Sequence, residues 1–305
     1  MDTYLNNSKN EQSSYWPCPA KLNLFLHFTG QRSDGYHELQ SVFQLLDFGD
    51  QLKVNPRTDG KITFDCNIEE LKGDDNLVVQ AAKKLQSIIS QNYSKGKMTL
   101  PGADLYLEKR LPAGGGIGGG SSDCATALVA LNHIWQLELN LDTLAEIGLS
   151  LGADVPIFVR GRTAFVEGIG EKITPFEMPE IWYLVVYPGC HVTTSKIFSN
   201  PLLTRNSKAI TIRDLNALEL PFKGKNSMQT LVCSDYPAVK SALDWLNQFS
   251  NHARMTGSGS CLFLAFDKEQ EMRKIASRCE WSHFVAKGVN ISPLHKRLLE
   301  LIGNG

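Results

Sequence analysis

Disulfide frameworks, zinc ribbons and membrane spans each leave marks that this sequence lacks. None of its seven cysteines (Cys18, Cys66, Cys124, Cys190, Cys233, Cys261 and Cys279) sits in a C-x-x-C pair, and the count is odd. That argues against a zinc ribbon or a secreted disulfide scaffold and fits reduced core thiols in a cytoplasmic protein. Long apolar runs are also missing. Stretches such as 183–187 (YLVVY) and 261–266 (CLFLAF) fall far short of the roughly 20 residues a bilayer span needs. Nor is there an excess of charge of one sign. The 31 basic and 32 acidic side chains leave a formal −1, which argues against nucleic acid or an anionic membrane surface as the main partner. Residues 1–15 have no apolar core of the kind a secretory signal carries, and they hold Asp2 and Glu11 but no arginine, unlike an organelle transit peptide. They read as a flexible N-terminal extension, and the expected location is the cytoplasm.

What is present is ordinary globular composition: 305 residues, 42% hydrophobic and 21% charged. At roughly 150 residues per domain, two domains are expected. Residues 20–28 alternate with period two. Leu22, Leu24, Leu26 and Phe28 are expected on one face, and Lys21, Asn23, Phe25 and His27 on the other. After a turn at 30–35, strands are expected at 39–48, 52–54 and 62–64. A helix over 77–90 follows Asp75 and Asn76, then a strand at 105–109. Further helices are expected over 121–135 and from Asn140, the latter with a capping box of Thr143 and Glu146 and a stop at Gly152. Asp154 then precedes an apolar strand.

In the second half, strands are expected at 164–168, 181–187 and 283–287. Helices are expected at 194–198, 212–220, 236–249 and 270–277, and a strand–turn–strand over 255–266. The mixture lacks steady βαβ alternation, so the fold class is α+β. The expected division lies between 158 and 170. It separates an N-terminal domain (16–165) from a C-terminal domain (166–305).

The most informative stretch is 111–123 (LPAGGGIGGGSSD), where six of the seven residues from Gly114 to Gly120 are glycine. Glycine loses the most backbone freedom on folding, so such a run makes sense where the chain takes positive φ or lies close to something bulky. It sits between an expected strand and an expected helix, whose first turn carries free N–H groups and partial positive charge. Ser121 and Ser122 are expected as N-cap hydroxyls within reach of a phosphate or its metal ion. Two readings stand here: a loop wrapping a polyphosphate, and a hinge. A P-loop is excluded because Ser121 follows Gly120 where a lysine is required. The spacing Gly114, Gly116, Gly119 matches a dinucleotide fingerprint, but the region about 20 residues on reads as a helix tail and not as a strand ending in an acid.

Three other segments gain meaning with the glycine run: 19–24 (PAKLNL), 151–156 (LGADVP) and 255–261 (MTGSGSC). Each alone has a plain reading, respectively a solvated strand face, a turn aspartate and a tight hairpin. Together and in this order, along with 35–37 (GYH) and 286–288 (AKG), they resemble the GHMP kinase superfamily of small-molecule kinases, across essentially the whole chain from about Trp16.

The resemblance implies a two-domain GHMP kinase fold, with an N-terminal mixed α/β nucleotide-binding domain and a C-terminal α+β sandwich-like domain, and ATP-dependent phosphorylation of an alcohol. Within the superfamily it points to the branch acting on the 2-hydroxyl of 4-diphosphocytidyl-2-C-methyl-D-erythritol, in the non-mevalonate route to isoprenoid precursors. It implies Lys21 and Asp154 as the catalytic pair. It assigns Lys109, Pro112, Gly114, Gly115, Gly116, Gly118, Gly119, Gly120, Ser121 and Ser122 to the nucleotide. Asn23, Tyr36, His37, Phe198, Gly257, Ser258 and Gly259 are implied to bind substrate, with Tyr36 and Phe198 clamping the base and His37 hydrogen-bonding its edge. Mg²⁺ is expected to arrive with ATP, with Ser121 or Ser122 as contact and no dedicated protein metal site. Lys109 is open to two readings, a residue near the adenine and a solvated strand end. Asn76 caps its helix or lies near the nucleotide. Asp123 departs from the superfamily's small or neutral residue, and its carboxylate is expected to point away from the phosphates.

Overall fold

The computed structural model describes residues 15–92, 100–215, 219, 221 and 223–303. Most of the expected N-terminal extension therefore lies outside the described residues. The chain opens with β1 (Tyr15–Gln31) and β2 (His37–Arg57), a long antiparallel hairpin. Next come β3 (Ile62–Cys66), α1 (Leu77–Asn92), β4 (Gly102–Glu108), α2 (Gly119–Ile134), α3 (Leu141–Leu149) and α4 (Val155–Arg160). Then follow β5 (Ala164–Gly168), β6 (Lys172–Pro175), β7 (Trp182–Tyr187), α5 (Thr194–Ser199), α6 (Ile212–Leu215), α7 (Gln229–Asp235) and α8 (Pro237–Asn247). The last elements are β8 (Arg254–Met255), β9 (Leu262–Phe266), α9 (Glu269–Ala276), β10 (Ser282–Val289) and α10 (Pro293–Gly303). Among the described residues, no helix is long and apolar enough to cross a membrane.

One ten-stranded mixed sheet runs through both halves, with the order β3-β4-β2-β10-β7-β9-β8 along its main path. The join is β10, which pairs with β7 over six residues and with β2 at Leu45 and Leu46. Helices α1 to α4 cover the first half of the sheet. Their core includes Val78, Leu85, Leu128 and Phe158 against Leu45, Leu52 and Leu107. Helices α8 and α9 cover the second half, burying Val239, Leu243, Leu246 and Met272 against Leu184, Val186 and Leu264. A third cluster, with Leu22, Leu24, Phe25, Phe165, Tyr183 and Phe263, unites the two halves. Each such fully buried side chain contributes about 1.5–3 kcal/mol. The chain end returns to the first half, where Leu294 of α10 is buried in the first core.

Several local expectations need correction. The 20–28 strand does not alternate strictly. Between Asn23 (opposite Phe43) and Leu26 (opposite Ser41) β1 carries an extra residue, so the faces exchange there. Phe25 consequently joins Leu22 and Leu24, while Leu26 and Phe28 enter the second-half core. The segment after Asp154 is the helix α4 and not a strand, with Pro156 in its first turn and Gly161 closing it in the left-handed region. Helix α3 is capped by Asn140, whose Oδ1 accepts from the Thr143 amide at 2.9 Å, in place of the Thr143–Glu146 box. The expected strands at 39–48 and 52–54 are one strand, β2. Of the helix expected over 212–220, residues 212–215 are helical, and 216–218 and 220 lie outside the described residues.

Candidate active site

The glycine run links β4 to α2, as its flanking patterns imply. Helix α2 starts two residues before Ser121, with Gly118 at the cap position (φ 76°) and no side chain bonding the free amides. Ser121 and Ser122 are therefore first-turn residues and not caps. That leaves the positive helix end open to an anion. A Cβ on Gly118 would lie 2.7 Å from the Phe158 ring, and one on Gly116 (φ 74°) would lie 2.5 Å from the Thr256 carbonyl oxygen. These glycines are thus required by protein packing against the 256–260 turn and α4, whatever else approaches the loop. A cavity of about 460 Å³ opens over the run. Residues 112–121 line it with Asn76, Lys109 and Asp123, and Ser122 is absent from its walls. The Ser122 hydroxyl is fully buried and has no hydrogen-bond partner among the described residues. Asn76 both caps α1, accepting from the Val78 amide at 3.0 Å, and borders the cavity.

Lys109 is no solvated strand end. Its side chain is 5% exposed and ion-paired with Asp50 and, at 2.7 Å, with Asp123. Burial opposes its charge, but the two carboxylates overcome that and hold its pKa above the lysine range. Asp123, as expected, is turned into the protein, toward Lys109. Burial pushes its carboxyl up to about 7 against the pull of Lys109. Asp50 also accepts from the Arg110 and Leu111 amides at 2.6 and 2.8 Å, which fixes the chain's entry into the glycine run. The sequence reading missed Asp50, which follows Gly49 within a strand and carries no motif.

Lys21 of β1 lies beside this loop. Its amide donates to the Ile117 carbonyl at 3.0 Å. Its ammonium is 3.3 Å from the Asp154 carboxylate, 2.5 Å from Asn23 Oδ1 and 4.4 Å from the centre of the Phe43 ring. Lys21 is almost fully buried, whereas Asp154, at the start of α4, is 34% exposed. A cation is therefore locked in the wall, and the carboxylate it faces reaches open space. Asn23 is held by its amide donating to Thr256 Oγ1 and its Nδ2 donating to Ser41 Oγ, both at 2.9 Å. Thr256 and Ser41 were not singled out from sequence; the buried strand pattern around Ser41 hides its polar role.

Farther along the same hairpin, His37 and Phe198 come together with ring centroids 4.9 Å apart, and Phe28 backs both at 5.5 Å. Tyr36 stands on the preceding turn, 62% exposed. Burial and the neighbouring Arg205 lower the pKa of His37. Ser258 accepts from the Thr194 hydroxyl at 3.0 Å at the start of α5, and Gly257 and Gly259 both take positive φ in the turn beside the glycine run.

Fold and site set a glycine-rich loop and an open helix start beside a lysine–carboxylate couple. Residues 76–162 match the model for the GHMP kinases N terminal domain, and 223–282 match GHMP kinases C terminal. The 4-diphosphocytidyl-2-C-methyl-D-erythritol kinase of Pseudomonas aeruginosa (strain UCBPP-PA14) is 50% identical over 288 residues, 94% of this chain and 98% of that one. A crystal structure of 4-(cytidine 5'-diphospho)-2C-methyl-D-erythritol kinase superposes with TM-score 0.75 at 29% identity, covering 90% and 99% of the two chains. The Methanococcus jannaschii mevalonate kinase shares the fold, with TM-score 0.61, 16% identity and coverages of 90% and 98%. The chain belongs to the GHMP kinases, in the 4-diphosphocytidyl-2-C-methyl-D-erythritol kinase family.

Proposed function

We propose that the chain transfers the γ-phosphoryl group of ATP to the 2-hydroxyl of 4-diphosphocytidyl-2-C-methyl-D-erythritol, giving the 2-phosphate and ADP in the methylerythritol phosphate route. The observation that carries the reading is the 3.3 Å contact of buried Lys21 with partly exposed Asp154, beside the cavity over the glycine run.

Phosphoryl transfer asks the protein chiefly for alignment and countercharge. The first-turn amides of α2 and the glycine backbone hold the β- and γ-phosphates. Asp154 accepts the proton of the 2-hydroxyl as its oxygen bonds to the γ-phosphorus and the bond to the bridging oxygen of ADP breaks. Lys21 balances the charge of Asp154 and supplies positive charge near the transferring group. Asn23 orients the substrate hydroxyls, with the turn at Gly257, Ser258 and Gly259 beside it. Mg²⁺ enters with the nucleotide and supplies phosphate countercharge when bound. The Ser121 side chain on the cavity wall fits a contact with it, whereas Asp123 is committed to Lys109. Tyr36 and Phe198 take the cytosine between them, and His37 meets its edge. Both partners are small molecules, and the unpaired state of all seven thiols supports a cytoplasmic location.

A coupled ADP-release assay over a panel of acceptors tests this. Turnover should be confined to the cytidyl-methylerythritol acceptor, with mevalonate, homoserine and galactose inert. A lack of turnover with that acceptor, ATP and Mg²⁺ would overturn the reading.

A further inference from the structure

Arg205 lies outside the catalytic pair and the glycine loops, yet its guanidinium gathers the base-binding residues. Its Nε donates to His37 Nε2 at 2.8 Å. Its Nη2 donates to the carbonyls of Phe198 (2.7 Å) and Asn200 (3.0 Å), and its Nη1 to that of Leu203 (3.1 Å). Four contacts thus join the first hairpin to the end of α5, and none goes to a carboxylate. An arginine so placed is not part of a surface ion pair. It spends its planar fork on the backbone that carries Phe198 and on the ring that stacks against it.

The contact with His37 has a chemical consequence. Arginine has only donors, so the nitrogen it meets must be the one with a lone pair. The proton of the neutral ring is then on Nδ1, which has no hydrogen-bond partner among the described residues. We infer that Arg205 is a specificity-determining positioning residue: it fixes His37 as the Nδ1–H tautomer, so that the base site presents a hydrogen-bond donor. Cytosine offers that donor an unprotonated N3 and a carbonyl oxygen. Uracil carries a hydrogen on N3 and would set donor against donor. The arrangement favours a cytidine-linked over a uridine-linked acceptor. This inference rests on the function proposed above for the identity of the ligand, but not for the state of the ring.

The test has two arms. In the free wild-type protein labelled with ¹⁵N-histidine, long-range ¹H–¹⁵N spectra at pH 7.5 should show His37, identified by its loss in His37→Asn, as the Nδ1–H tautomer. An Nε2–H or doubly protonated ring would overturn the inference, and this measurement needs no substrate. In the second arm, Arg205→Lys and Arg205→Met should raise the KM for the cytidyl acceptor by about tenfold, the equivalent of one lost hydrogen bond. They should also lower the preference for the cytidine- over the uridine-linked acceptor, with kcat and the KM for ATP unchanged. An unaltered preference, or a loss confined to kcat, would overturn it. If the variants fail to fold, the tautomer in the wild type still decides. If wild-type protein is inert toward the cytidyl acceptor, the proposed function falls while the tautomer measurement stands.

Discussion

The amide of Cys261 donates to the carbonyl of Gly115 at 3.0 Å, making the glycine run and the 256–260 turn one piece of backbone. Gly257 packs so closely on Gly116 that a Cβ there would sit 2.6 Å from the Gly116 oxygen. The glycine loop of the first half is therefore shaped by the second half. The same turn holds Asn23 through Thr256, so loop, strand and turn share a single support.

Gly116→Ala should cost about 1–3 kcal/mol from the positive φ alone, with more from the collision with Thr256. Thermal unfolding should register the loss, and ATP binding should go with it. Gly120→Ala is the contrast, since its nearest neighbour would be a Leu77 methyl at 3.9 Å. That variant should fold with wild-type stability. Any ATP affinity it loses then reports phosphate approaching the helix start. Equal stability of the Gly116 variant would refute the interlock.

Asp154→Asn should lower kcat by about 100- to 10,000-fold, the usual contribution of a general base, with ATP affinity retained. Lys21→Met should lower kcat as well, because Asp154 loses its 3.3 Å partner. Single-turnover kinetics and a nucleotide titration separate the two effects. Near-normal turnover by the Asp154→Asn variant would remove Asp154 from the role of base.

Asp123→Asn tests the buried ion cluster. The folded pKa of Asp123 is raised to about 7 by burial, above its ordinary 3.8. The folded state thus binds this proton more tightly than the unfolded chain does. Its contribution to stability is full below about pH 4 and is lost as pH rises through 7. Between pH 5 and 7 the wild type should lose up to about 1.4 kcal/mol per pH unit relative to the variant. Urea denaturation across that range measures the slope. ATP titration should show unchanged affinity, because the carboxylate faces Lys109. Parallel stability profiles would show that Asp123 is ionised throughout.

The KM for the cytidyl acceptor should depend on acid in a particular way. Burial and Arg205 lower the pKa of His37 from the ordinary 6.5, so the neutral ring persists to lower pH than in an unperturbed histidine. On acidification KM should climb with a midpoint below 6.5, as the protonated ring loses its contact with Arg205. A pH series of initial rates at saturating ATP provides the check. A rise centred at or above pH 6.5 would point to another group.

Much of the site was legible because its signals are local. The glycine run between a strand pattern and a helix pattern, the lysine and asparagine two apart on a strand, and an aspartate after a helix end are all short-range features. Errors arose where short-range rules compete. The apolar run at 155–159 suits a strand or a buried helix equally by periodicity, and Pro156 in a first turn decided for the helix. The face exchange after Asn23 depends on how β1 pairs with Phe43 and Ser41, which no alternation in β1 alone can reveal. Asp50, Arg205 and the contact of Thr256 with Asn23 went unnoticed because each involves a polar residue whose partners lie far away in the chain, apart from the backbone carbonyls that Arg205 also holds nearby.

By itself, then, the amino-acid order determined the strand–loop–helix unit around the glycine run, the α+β character and the family, since backbone preference and side-chain periodicity act over a few neighbouring residues. Only the closed chain decided that Lys21 meets Asp154, that Lys109 lies between Asp50 and Asp123, and that Arg205 holds His37. Those contacts need groups distant in the chain to be desolvated together, which happens only once the chain has closed, and the Arg205–His37 contact further needs the second half to meet the first.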